Sequence, residues 1–135
     1  MPEDKQKLQE KYIELQLVST QIKQVEEQLG FLDQKAMELT NLSLSLEKFK
    51  ELKPGTKSLA PLGQGIFAET SIGATNSVLL NVGAGVIVRK SVEEAGQTIN
   101  GQLDNLQDVA VELGENLKML AAKAHQLEHE IDKLL

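Results

Sequence analysis

The sequence predicts an α+β chain, a long antiparallel coiled-coil hairpin with two β-hairpins at its head that form oligomeric β-barrels. Three observations predict it. Apolar residues recur in steps of three and four on both sides of the centre. The centre itself, residues 53–90, holds six of the ten glycines, two of the three prolines and the β-branched clusters IFAETSI, SVLLNV and VIV. Two helices of similar length flank that segment, so they fold back on each other and leave the β segment as the head. The expected divisions are 1–52 for the N-terminal coiled-coil helix, 53–90 for the β-hairpin oligomerisation head and 91–135 for the C-terminal coiled-coil helix.

In the first helix, Leu15, Val18, Ile22, Val25, Leu29, Leu32, Ala36 and Leu39 make an a/d seam. The next a position is Ser43, and the stripe is expected to slip to Leu42, Leu46 and Phe49. Lys53-Pro54-Gly55 ends the helix, because proline disfavours helix at the preceding residue and glycine permits the turn. Asn41-Leu42-Ser43 matches a glycosylation sequon but lies within predicted helix and is discounted.

Glycine and proline divide the head into four short strands, near 57–62, 66–72, 77–82 and 86–90. Gly63-Gln64-Gly65 and Gly83-Ala84-Gly85 read as tight hairpin turns. Neither cluster continues into the Gly-Lys-Ser/Thr of a phosphate loop, and no dinucleotide fingerprint is completed. Pro61 marks the first strand as an edge. By alternation Val78, Leu80 and Val82 share one face, as do Val86 and Val88. Four short strands with open edges need covering or pairing, so several heads are expected to join edge to edge. The expected oligomerisation residues are Ile66, Phe67, Val78, Leu80, Val82, Val86 and Val88.

Ser91-Val92-Glu93-Glu94 is a capping box that starts the second helix. Its seam then runs Ile99, Leu103, Leu106, Ala110, Leu113, Leu117, Leu120, Ala124, Leu127, Ile131, Leu134 without a missed step. Folding the helices together sets Leu15 opposite Leu127, Ile22 opposite Leu120, Leu29 opposite Leu113 and Leu39 opposite Leu103, and brings both termini to the far end.

Charge and composition exclude several classes of function. Residues 1–52 carry seven Lys and Arg against ten Asp and Glu, residues 53–90 four against one, and residues 91–135 three against nine. Acidic arms repel phosphate backbones, so nucleic-acid binding is not expected. The absence of cysteine removes disulfides, thiolate metal sites and thiol nucleophiles. No signal peptide and no membrane-length apolar run is evident, so a cytoplasmic protein without a membrane partner is expected. His125-Gln126-Leu127-Glu128-His129 spells a zinc-peptidase pattern, yet both histidines fall on outward heptad positions and no third ligand is identifiable. Neither an enzyme nor a cofactor is expected.

Pro61-Leu62-Gly63-Gln64-Gly65-Ile66-Phe67 and the run from Val82 to Ser91, VGAGVIVRKS, set between two heptad helices, resemble the prefoldin family, and within it alpha-class subunits of the archaeal type. The resemblance covers the whole chain. It implies an ATP-independent co-chaperone, a hetero-hexamer of two alpha-class and four beta-class subunits. Such a hexamer holds unfolded client proteins between coiled-coil tips and passes them to a group II chaperonin. The competing role is a structural coiled-coil protein that forms filaments or tethers. The apolar residues near the expected tip, Leu8, Tyr12, Ile13, Leu17, Leu127, Ile131, Leu134 and Leu135, are the candidates for client binding, since hydrophobic contact is non-directional.

Overall fold

A computed structural model describes residues 2–135. The elements run α1 (Pro2–Lys50), β1 (Lys57–Gly63), β2 (Ile66–Ser71), β3 (Ser77–Gly83), β4 (Val86–Ser91) and α2 (Val92–Leu134). Two compact units result. Residues 2–36 with Asn105–Leu135 form one, and Met37–Asp104 the other.

The first unit is helix against helix. Val18 and Val25 of α1 and Leu127 and Ile131 of α2 are buried, and the other apolar seam positions of both segments are half-buried. The Lys11 ammonium lies 2.8 Å from the Glu130 carboxylate, and Lys123 lies 3.5 Å from Glu14. Both pairs join the start of α1 to the end of α2, so the two segments run antiparallel. The Lys11 pair falls within one residue of the register that set Leu15 opposite Leu127. Glu3 and Asp4 in the first turn of α1 complement the helix dipole.

In the second unit Leu39, Val92, Ala95 and Ile99 are buried. The expected slip of the α1 stripe is met at Phe49, which is half-buried while Lys50, the next position of the regular heptad, is exposed, but it is not met at Leu42. Leu42 is exposed, while Ser43 and Leu46 are half-buried, so the three-four rhythm carries on through a serine. A small hydroxyl side chain tolerates a half-buried seam position, so the stripe shifts only after Leu46. Helix α1 stops at Lys50, two residues before the expected end. The amides of Glu51 and Leu52 turn to the carbonyls three residues back, at 3.1 Å each, a tightened last turn. At the other junction the Ser91 hydroxyl accepts the Glu94 N–H at 3.1 Å, the forward half of the predicted capping box. The return bond from the Glu94 side chain is not made.

Each hairpin is its own two-stranded antiparallel sheet, β1 with β2 and β3 with β4. Both are closed by two-residue turns whose central residues have positive φ, Gln64 (54°) with Gly65 (78°) and Ala84 (51°) with Gly85 (74°). Positive φ at both central positions is the turn whose twist matches that of the strands. A bulge interrupts each ladder, between Pro61 and Gly63 and between Asn81 and Gly83.

The two hairpins are copies of one another. Every partner in the second ladder is its counterpart in the first advanced by twenty, from Lys57↔Ser71 and Ser77↔Ser91 to Gly63↔Ile66 and Gly83↔Val86. The bonds that close their open ends repeat as well, Ile72 N–H to Thr56 O at 2.8 Å and Val92 N–H to Asn76 O at 3.1 Å. Leu59, Gly63, Gly65 and Ser71 recur as Leu79, Gly83, Gly85 and Ser91. The repeat is hard to see in sequence because most other positions keep only their apolar or polar character.

Candidate functional site

The residues available for contact lie on the hairpin faces and at the chain ends of the first unit. Leu80 pairs with Val88 and Val78 with Lys90, which gathers Val78, Leu80, Val82, Val86 and Val88 on one face of the second hairpin. Leu80 and Val88 at its centre are half-buried, while Val82 and Val86 near the turn are exposed. Ile66 lies on the corresponding face of the first hairpin. Phe67 does not. It pairs with Pro61 on the opposite face, beside Leu59, and is exposed.

Sequence reasoning missed four exposed apolar residues, Leu59, Leu62, Leu79 and Ile87. Leu59 and Phe67 on one hairpin and Leu79 and Ile87 on the other make the second face apolar too. The signal was present in the unbroken apolar runs Val78–Leu80 and Val86–Val88, which mark strands covered on both sides rather than one. An open cleft of about 550 Å³ on the first hairpin is lined by Lys57, Ser58, Leu59, Glu69, Thr70 and Ser71. Arg89 is anchored across its own hairpin, donating from Nη1 to the Ser77 hydroxyl at 3.0 Å.

At the chain ends the candidate residues separate. Leu127 and Ile131 are buried in the seam, and Leu8 and Leu134 are half-buried. Tyr12, Ile13, Leu17 and Leu135 are exposed, as is Met119. Further along the first unit, Phe31 and Val109 border an open groove of about 550 Å³ with Gln24, Glu27, Gln28, Leu32 and Leu113.

The Lys11–Glu130 pair ties this end together. Glu130 also accepts a bond from Gln126 Nε2 at 3.3 Å. The hydrogen bond from Lys11 is the chief reason that the Glu130 carboxyl is held below its ordinary value, and the same bond pushes the Lys11 ammonium up.

Among the described residues no buried polar side chain and no group of three His, Cys, Asp or Glu suited to a metal is present. His125 and His129 are exposed on α2. No described helix is long and apolar enough to cross a membrane. What the chain presents is apolar surface and unpaired strand edges, a chemistry of contact.

Comparison with known proteins agrees. Residues 18–135 match the model of the Prefoldin family, prefoldin subunit. The chain is 24% identical to Prefoldin subunit alpha of Methanococcus vannielii, over 95% of this chain and 86% of that protein. It is 28% identical to that of Methanocorpusculum labreanum, over 86% and 79%. It is 22% identical to that of Thermofilum pendens, over 97% and 99%. The fold matches that of a filamentous PFD from Methanocaldococcus jannaschii with a TM-score of 0.76 at 24% identity, over 85% of this chain and 95% of that one.

Proposed function

This chain belongs to the prefoldin family, and we propose that it works as an alpha-class co-chaperone subunit in the cytoplasm. Its hairpins join beta-class subunits in a hetero-hexamer through oligomeric β-barrels. The assembly captures unfolded proteins on the apolar residues at the helix ends, without nucleotide, and passes them to a group II chaperonin. The observation that carries this reading is the pair of hairpins with apolar side chains on both faces, Leu80 and Val88 on one and Leu79 and Ile87 on the other. One two-stranded sheet cannot bury both faces alone, so its stable state is an assembly.

The test is to co-express the chain with a beta-class subunit, measure the native mass, and follow aggregation of a chemically denatured client with and without a group II chaperonin. A compact hexamer that suppresses aggregation and raises the refolded yield with the chaperonin supports the proposal. An assembly that leaves client aggregation unchanged refutes it. A second reading, a filament-forming or tethering protein, draws on the presence of two hairpins, hence two joints, in one chain. Long polymers of the isolated chain without holding activity would favour it.

A further inference from the structure

His125 and His129 are the only histidines in the chain, and they stand four residues apart near the end of α2. Both are exposed, while Leu127 between them is buried in the seam. Two residues on is nearly the opposite side of a helix, so the two imidazoles share the face turned away from the seam. Side chains four residues apart stand one above the other, with Cβ atoms about 5–6 Å apart. The neighbouring row of α2 already spans that interval, where Gln126 donates from Nε2 to the Glu130 carboxylate at 3.3 Å.

The chemistry at this face suits a metal ion. A neutral imidazole offers one ring-nitrogen lone pair, and a zinc–nitrogen bond is about 2.0–2.1 Å long, so two rings one helical turn apart can meet at a single ion. Because both residues are exposed, neither ring has to be unpacked before it binds. Glu128 and Asp132 are exposed in the same stretch, and residues 91–135 carry three Lys and Arg against nine Asp and Glu, a field that draws cations. Two lysines of this end are turned to carboxylates across the helix pair, Lys123 to Glu14 and Lys11 to Glu130.

We propose that His125 and His129 chelate one divalent transition-metal ion of the imidazole-preferring class, with zinc as its representative, across a turn near the end of α2. Two ligands on an open helix face do not make an active site, which needs three protein ligands around an open position. They make a clamp. An ion held by both rings fixes the turn between them as helix, and that turn places Leu127 in the seam. Imidazole suits zinc, copper and nickel, whereas magnesium and calcium take oxygen ligands, so the site discriminates between the two groups of cations. The unfolded chain does not hold the two rings one turn apart, so binding favours the folded helix. The inference stands apart from the co-chaperone reading, since it needs neither a partner subunit nor a client.

The full-length chain is titrated with zinc sulfate by isothermal calorimetry, and its thermal melting is followed with and without zinc. The wild type is expected to take up zinc and to melt at a higher temperature in its presence. His125→Ala and His129→Ala should each lose both effects, although either exposed position accepts alanine without harm to the helix. The decisive sample is the double variant His129→Ala with Ala121→His. Ala121 is exposed and lies four residues before His125, so this change restores the spacing one turn earlier and should restore zinc binding. A fault in folding would not be repaired in that way. Excess magnesium should leave zinc binding intact, since a site made of carboxylates alone would be open to both ions. The proposal is overturned if the wild type takes up no zinc, if bound zinc leaves its melting unmoved, if either single variant binds as the wild type does, if Ala121→His fails to restore binding, or if magnesium displaces the zinc.

Discussion

Replacing Tyr12, Ile13 and Leu17 together by glutamine tests where clients bind. The three side chains are 49%, 62% and 58% exposed, so roughly half of each remains to be buried by a client. Fully burying such a side chain is worth ~1.5–3 kcal/mol, which leaves about 1 kcal/mol for each and about 3 kcal/mol for the three. That corresponds to a client Kd weakened about 100-fold per binding chain. Glutamine is a good helix former, so α1 itself should hold. The assay is light scattering from a chemically denatured client diluted into the assembled co-chaperone, with native mass and thermal melting as controls. Loss of protection with unchanged mass and melting is the expected outcome. Full protection by the triple variant would refute the chain-end assignment and move attention to the groove beside Phe31 and Val109.

Further expectations follow from the hairpins, the cap and the ion pair. Ala84 holds a φ of 51°, where a non-glycine residue costs ~1–2 kcal/mol, so Ala84→Gly should stabilise the chain by about 1 kcal/mol in chemical denaturation. Ser91→Ala removes the acceptor for the Glu94 amide and should destabilise by about 1 kcal/mol in the same experiment. Leu80→Asp with Val82→Asp adds two charges to one face of the second hairpin and should abolish assembly by native mass while leaving the helical circular dichroism intact. Glu130, with its pKa lowered, contributes stability above its unfolded-state value that fades as pH falls through the folded value. Lys11, with its pKa raised, contributes fully below the ordinary lysine value and loses that share as pH rises through the raised one. Glu130→Gln should therefore flatten the acid side of the Tm against pH profile, and a wild-type slope in the variant would count against the pair.

Helix α2 was the most legible element. Its eleven seam positions, Ile99 through Leu134, are all half-buried or buried, because nothing interrupts the alternation of three and four. In α1 the same rule misled at Ser43, where an apolar-only reading moved the stripe to Leu42. The stripe accepts a small polar residue at Ser43 and shifts only afterwards, to Phe49. Strand positions were legible from glycine punctuation to within a residue or two. The duplication was not, since it lives in ladder partners rather than in matched letters. The proposed client residues were the least legible. Leu127 and Ile131 belong to the seam and lie near the chain end at once, and apolar character alone does not separate packing from exposure. Only the paired helices do, by burying those two and leaving Tyr12 and Ile13 outside.

The twenty-residue step between the hairpins also makes each one a removable cassette. Excising residues 57–76 would join Thr56 to Ser77, and the carbonyl of Thr56 would take the place of Asn76 in receiving the Val92 amide. The bulge, the turn and the entry into α2 would all be preserved, so a one-hairpin chain lies a single deletion away. Read in the other direction, a tandem duplication of that segment is enough to turn a one-hairpin ancestor into this chain without disturbing either helix. The later divergence of the copies, Glu69 against Arg89 and Pro61 against Asn81, would then be what made two identical hairpins into two different ones.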